Sequence, residues 1–171
     1  MKKTNVLLLV LIGMLTLISC SSDDDNNDQN TESQNSFTYN NESYKLNFAS
    51  VQSFDNHIQL TLADADYTSE NFTGDIDFVG VLFDSETLPE GNYSFKLDTA
   101  QDYDSTVNFF DAEAGVNLSI VNGDADTTSN YFENINSGTI SIEKSGEIYT
   151  INFQLIFNNG TFTGTYKGEV N

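Results

Sequence analysis

Ile148-Tyr149-Thr150-Ile151-Asn152-Phe153-Gln154-Leu155-Ile156-Phe157-Asn158-Asn159-Gly160-Thr161-Phe162-Thr163-Gly164-Thr165-Tyr166 is the stretch whose reading decides the fold. Tyr149, Ile151, Phe153, Leu155 and Phe157 recur at every second position, and Phe162, Tyr166 and Val170 continue the alternation beyond Asn159-Gly160. A period of two sends successive side chains to opposite faces of a strand, and Asn-Gly between two such runs is a strong hairpin signal. Upstream, residues 139–143 and the Ser145-Gly146 turn add a third strand, so the C-terminal third reads as a three-stranded meander.

The same period runs back to Phe37. Tyr44, Leu46 and Phe48 share a face, as do Ile58, Leu60 and Leu62 against His57, Gln59 and Thr61. Phe72, Gly74, Ile76, Phe78, Gly80 and Leu82 form the next apolar face, with Asp75 and Asp77 outward. Gly74 and Gly80 inside this strand predict bulges or sharp curvature. Leu88-Pro89-Glu90-Gly91 makes a turn before Tyr93, Phe95 and Leu97. Residues 107–109 and 116–121 read as two strands joined through 111–115, while 98–106 and 122–136 read as polar loops. No comparable repeat has helical spacing. Residues 37–171 are therefore one all-β domain, an antiparallel meander of about nine or ten strands. Such a meander closes into a lipocalin-like barrel or, alternatively, folds as a two-sheet β-sandwich. The chain has no tryptophan, so it lacks the Gly-X-Trp signature of lipocalins themselves.

The N-terminus carries the address. Lys2 and Lys3 precede an apolar run over 6–18, too short for an ordinary membrane span and suited to a secretory signal. Leu17-Ile18-Ser19-Cys20 resembles the lipobox of bacterial lipoproteins. That resemblance implies removal of 1–19 and lipid on Cys20. Acyl chains burying about 0.8 kcal/mol per methylene would hold the protein on a membrane. Ser22-Asp23-Asp24-Asp25 is similar to the acidic export signal of Bacteroidota-type surface lipoproteins, which implies display on the outer membrane, facing the cell exterior. A periplasm-facing lipoprotein with an acidic tether is the alternative. Residues 20–36 hold almost nothing apolar beyond the cysteine and read as a disordered tether.

Within the domain, Leu88-Pro89-Glu90-Gly91-Asn92-Tyr93, Ser137-Gly138-Thr139-Ile140 and Gly164-Thr165-Tyr166-Lys167-Gly168 resemble small all-β lipoproteins of Bacteroidota. Those proteins have no assigned activity, so the likeness implies fold and location and carries over no catalytic residue.

Charge narrows the partners. Without the leader, four lysines face 26 carboxylates, a formal charge of −22, and arginine is absent. Such a body repels phosphate backbones and lacks the guanidinium fork that reads them, which excludes nucleic acid as a partner. The single cysteine leaves neither disulfide nor catalytic thiol once it carries lipid. His57 is the one histidine, and no Gly-X-Ser-X-Gly elbow exists, so no catalytic residue is assigned. A carboxylate-type hydrolase stays as a third reading, since two facing acids in a cleft suffice for that chemistry.

Asp64/Asp66, Asp102/Asp104 and Asp124/Asp126 are Asp-X-Asp pairs in or beside loops, where carboxylates and carbonyls can converge on calcium. None matches an EF-hand: Ser129 stands in place of the sixth-position glycine, and Ile135 in place of the bidentate glutamate. Solvated acidic loops are the plainer reading, and no other cofactor is indicated. Asp98-Thr99-Ala100, Asp104-Ser105-Thr106 and Asp126-Thr127-Thr128 resemble the acceptor triplets of Bacteroidota protein O-glycosylation, which implies glycans on Thr99, Ser105 and Thr127. Tyr67, Tyr103, Phe110, Tyr131 and Phe132 lie in or near loops, where aromatic rings stack on sugars or cap the core. The expectation is a lipid-anchored surface module without catalysis, capturing an extracellular ligand such as a glycan or a protein. A structural or adhesive protein with calcium-binding loops is the alternative.

Overall fold

The structure is a computed structural model that describes residues 35–128 and 130–171. The leader 1–19, Cys20, Ser22, Asp23, Asp24, Asp25 and all but the last two residues of the expected tether lie outside the described residues. Among the described residues, the first strand begins at Ser36.

Thirteen strands and no helix are found among the described residues. They are β1 (Ser36–Tyr39), β2 (Glu42–Lys45), β3 (Phe48–Phe54), β4 (His57–Ala63), β5 (Gly74–Phe83), β6 (Gly91–Phe95), β7 (Asn108–Phe109), β8 (Asp111–Val121), β9 (Asp124–Ala125), β10 (Tyr131–Phe132), β11 (Ser137–Ser145), β12 (Ile148–Phe157) and β13 (Gly160–Gly168). The fold is all-β, as the alternation requires. Two curled sheets form, one of seven strands in the order β2-β1-β13-β12-β11-β6-β7 and one with the path β10-β8-β5-β4-β3 and β9 beside β8. Pairing is antiparallel except where β6 meets β7 in parallel over Ser94–Asn108 and Phe95–Phe109.

The meander is interrupted. β3-β4-β5 and β11-β12-β13 pair in sequence order, but the chain changes sheet between β2 and β3, β5 and β6, β7 and β8, and β10 and β11. The reason is burial: one continuous layer would leave its apolar face in water, whereas two layers can share a core. Phe37, Ile151, Phe153, Leu155 and Phe162 from one sheet join Ile58, Leu60, Leu62, Val79, Val81 and Phe83 from the other in a single buried cluster. Phe162 is its aromatic hub, with ring centroids 4.5 Å from Tyr39, 5.0 Å from Phe132 and 5.5 Å from Phe157. Burying a side chain of this kind contributes about 1.5–3 kcal/mol.

Several local expectations need correction. The β12–β13 turn is Asn158-Asn159, and Gly160 already pairs with Phe157. Residues 111–115 are not a connection but the first half of β8, with Asp111 opposite Leu82 and Gly115 opposite Phe78. The bulge in β5–β8 falls at neither Gly74 nor Gly80. Ile76 pairs with Leu118 and Phe78 with Gly115, so Asp77 faces two residues, Val116 and Asn117. Asn117 takes φ 48°, a left-handed conformation that asparagine tolerates well. The Asn117 N–H donates to the Asp77 carboxylate at 2.8 Å, and the Asp77 N–H donates to Asp64 Oδ1 at 3.0 Å. Asp77 is thus half-buried and built into the bulge rather than pointed outward, and burial raises its carboxyl pKa above the usual range.

The bulge shifts the phase of β8. Ala112, Ala114 and Val116 face the shared core, but Leu118 joins Ala63, Ile76 and Phe78 in a second, smaller cluster. Along β5, the residues that reach the main core are Val79, Val81 and Phe83, not the alternate set expected to be buried there. Apolar side chains therefore stand on both faces of the six-stranded sheet.

Candidate functional site

The cross-strand registers place Ser50, Thr61, Gly80 and Glu113 in one row on the face turned away from the shared core. Phe48, Ala63, Phe78, Gly115 and Tyr131 form the neighbouring row. Two glycines shape this surface. A Cβ on Gly115 would lie 2.5 Å from the Phe78 ring, so the ring can lie flat across the strand. A Cβ on Gly80 would lie 2.9 Å from Gln59 Nε2 and 3.0 Å from Glu113 Cγ, so the bare backbone lets these two side chains meet above it.

The result is a groove of about 290 Å³. Its floor is Ile76, Phe78, Leu118 and Ile120; Gln52, Gln59, Thr61 and Glu113 line its polar side, with Tyr67 and Tyr131 at the walls. Gln59 Nε2 donates to Glu113 Oε1 at 2.6 Å, and the Tyr131 hydroxyl makes a short hydrogen bond to Glu113 Oε2. The Tyr67 and Ser50 hydroxyls are 3.3 Å apart. Burial, reinforced by the hydrogen bond to Glu113, pushes the Tyr131 hydroxyl well above the ordinary tyrosine pKa. Tyr131 therefore stays a neutral donor. Apolar floor, aromatic walls and a few converging polar groups are the usual makeup of a small-ligand site.

A broader, more open trough of about 820 Å³ lies on the outer face of the seven-stranded sheet, among Asn92, Ser94, Thr139, Ser141, Asn152, Gln154 and Thr163. It has no carboxylate and no exposed aromatic ring, so size alone does not make it the better site.

Of the five loop aromatics, Tyr67 and Tyr131 reach the groove. Phe132 packs on the core beside Tyr39 and Phe162, and Phe110 lies 5.0 Å from the ring of His57. Tyr103 is half-buried within its loop. His57 Nδ1 is 3.6 Å from Asp84 Oδ1 and has no hydrogen-bond partner among the described residues.

The Asp-X-Asp pairs are dispersed. Asp66, Asp104 and Asp126 each accept, through Oδ1, the N–H and hydroxyl of the threonine two residues on: Thr68, Thr106 and Thr128. These hydrogen bonds lower the pKa of all three carboxyls. Asp64 caps the Asp77 N–H, Asp102 pairs with Lys96 at 2.8 Å, and Asp124 lies in β9. Among the described residues, no three His, Cys, Asp or Glu side chains are grouped to hold a metal ion. Ser105 and Thr127, the central residues of two of these turns, are exposed, whereas Tyr67 in the third is half-buried; Thr99 is exposed without such a turn.

Glu113 is the groove residue that sequence reasoning missed, because 111–115 read as a connection. Its signal was the alternation Asp111-Ala112-Glu113-Ala114, faint because alanine contributes little apolar contrast.

No protein-family model, curated protein or solved structure matches this chain.

Proposed function

We propose that this protein is a lipid-anchored cell-surface binding module, without catalysis, that captures an extracellular ligand such as a glycan in the groove of its six-stranded sheet. The observation that carries this reading is the convergence of Tyr67, Tyr131 and the Gln59–Glu113 pair over an apolar floor. Cys20 is the lipid attachment point, Ser22 with Asp23, Asp24 and Asp25 directs export to the outer face of the outer membrane, and the tether holds the domain clear of the lipid. The two curled sheets are read as a two-layer sandwich-type wrap rather than a closed lipocalin-like barrel. In support, no strand ladder joins them among the described residues, and both feed one core.

The test is a thermal-shift screen of the intact lipoprotein in detergent against neutral and amino oligosaccharides, with calcium as a separate arm. A ligand at a hundredfold over its Kd stabilises by about 2.7 kcal/mol. A sugar-dependent shift that is lost in Tyr67→Ala supports the groove. A shift with calcium alone would move the function to the acidic loops.

A further inference from the structure

The charges of the domain are divided unevenly between its sheets. Lys45 lies on β2, Lys144 on β11 and Lys167 on β13, while Lys96 directly follows β6. All four lysines of the described residues therefore belong to the seven-stranded sheet or its edge. The six-stranded sheet has none, and its strands and loops carry Asp55, Asp64, Asp66, Asp75, Asp77 and Asp84 besides Glu113.

Glu113 stands in the middle of this lysine-free sheet, whose one basic residue, His57, lies beside Asp84. It is half-buried, and its two oxygens are oriented by neutral donors, Gln59 on one side and Tyr131 on the other. No ion pair to Glu113 is formed among the described residues. A carboxylate held this way has its remaining lone pairs directed at the groove, where attraction for a cation strengthens as water leaves. The aromatic walls attract cations through their ring faces and sugars through their C–H faces. Gln52 and Thr61 supply donors and acceptors for hydroxyls.

We propose that the groove takes an amine-bearing sugar, a glycan with free amino groups whose ammonium seats against Glu113. This rests on the groove being the ligand site. The acidic body draws such a ligand in from a distance and repels anionic glycans.

The experiment uses intact protein and two matched probes, the β-1,4-linked glucosamine tetramer and its fully N-acetylated counterpart, titrated calorimetrically where the amines are protonated. The free-amine tetramer is expected to bind at least about tenfold more tightly and to weaken with salt. Glu113→Gln should erase that preference while sparing the acetylated probe, with circular dichroism confirming the fold. Glu147→Gln, in the β11–β12 turn, removes the same charge outside the groove and should change nothing. Equal losses from the two variants would mean general attraction by the acidic body and would overturn the inference. Equal affinity for both probes, abolished by Tyr67→Ala, would overturn the amine preference and leave the groove standing. Binding of neither probe, or binding untouched by Tyr67→Ala and Glu113→Gln, would remove the groove reading as well.

Discussion

On the outer face of the seven-stranded sheet, Ser43, Thr38, Thr163, Gln154, Thr139 and Ser94 lie in one cross-strand row. Lys45, Ser36, Thr165, Asn152, Ser141 and Asn92 lie in the next. Both rows are free of carboxylates and aromatic rings. Across the six-stranded sheet, the corresponding outer rows hold Ser50, Thr61, Gly80 and Glu113, then Phe48, Ala63, Phe78, Gly115 and Tyr131. The first surface hydrogen-bonds to itself: Thr165 donates to Asn152 Oδ1 at 2.9 Å, and Asn152 Nδ2 donates to Ser141 at 3.3 Å. The second gathers apolar, aromatic and charged groups around a hollow. The bulge opposite Asp77 accounts for much of the difference. Uninterrupted alternation keeps apolar residues inside, as on β12 and β13, whereas a shifted phase brings Leu118 out beside Ile76 and Phe78.

The largest expected effect separates the two faces directly. Phe78→Ala removes a ring that is 8% exposed and lies over Gly115, and should cost about 3 kcal/mol in chemical denaturation. Thr163→Ala, facing outward on the seven-stranded sheet, should stay within about 0.5 kcal/mol. Equal costs would mean that Phe78 is solvated and the groove floor is not packed.

A smaller contrast tests the hydrogen bonds. Tyr131→Phe deletes the donor to Glu113 Oε2 and should destabilise by about 1.5 kcal/mol, since a charged acceptor loses its partner. Asn152→Ala breaks the exposed Thr165–Asn152–Ser141 chain, where water can replace what is lost, and should cost about 0.5 kcal/mol. If the order reversed, the polar rows rather than the groove would be the more tightly organised surface.

The two faces also differ in how much of them the sequence discloses. Tyr149, Ile151, Phe153, Leu155 and Phe157 can be assigned to a core-facing strand from their spacing, and their outward neighbours follow automatically. The groove could not be read this way. Its bulge depends on Asn117 adopting a left-handed conformation and on Asp77 accepting that residue's N–H, a contact 40 residues apart in sequence. The run 78–83 is apolar at every position and places apolar side chains on both faces of its strand, so spacing alone does not say which side faces the main core. Tyr67 and Tyr131 were visible as loop aromatics beside Phe132, but only the pairing of β10 with β8 sends Tyr131 outward and Phe132 inward.

The smallest effect concerns the sign of a pH dependence, with Asp77 and Asp104 as opposites. Burial raises the Asp77 carboxyl at the bulge, so the folded state holds its proton more tightly than the unfolded chain. Its contribution is most favourable below the unfolded aspartate pKa and declines as pH rises through the raised folded value. The Thr106 hydroxyl and N–H lower the Asp104 carboxyl in the β6–β7 loop, so its contribution is present above the unfolded pKa and is lost as pH falls through the lowered value. Asp77→Asn, which keeps an acceptor for the Asn117 N–H, should therefore gain on wild type as pH rises across the lower carboxylate range. Asp104→Asn should lose on wild type over the same rise. Denaturant midpoints across that range read the two slopes directly. Parallel curves would show that Asp77 is as solvated as the loop aspartates, and that the bulge holds without a buried carboxyl.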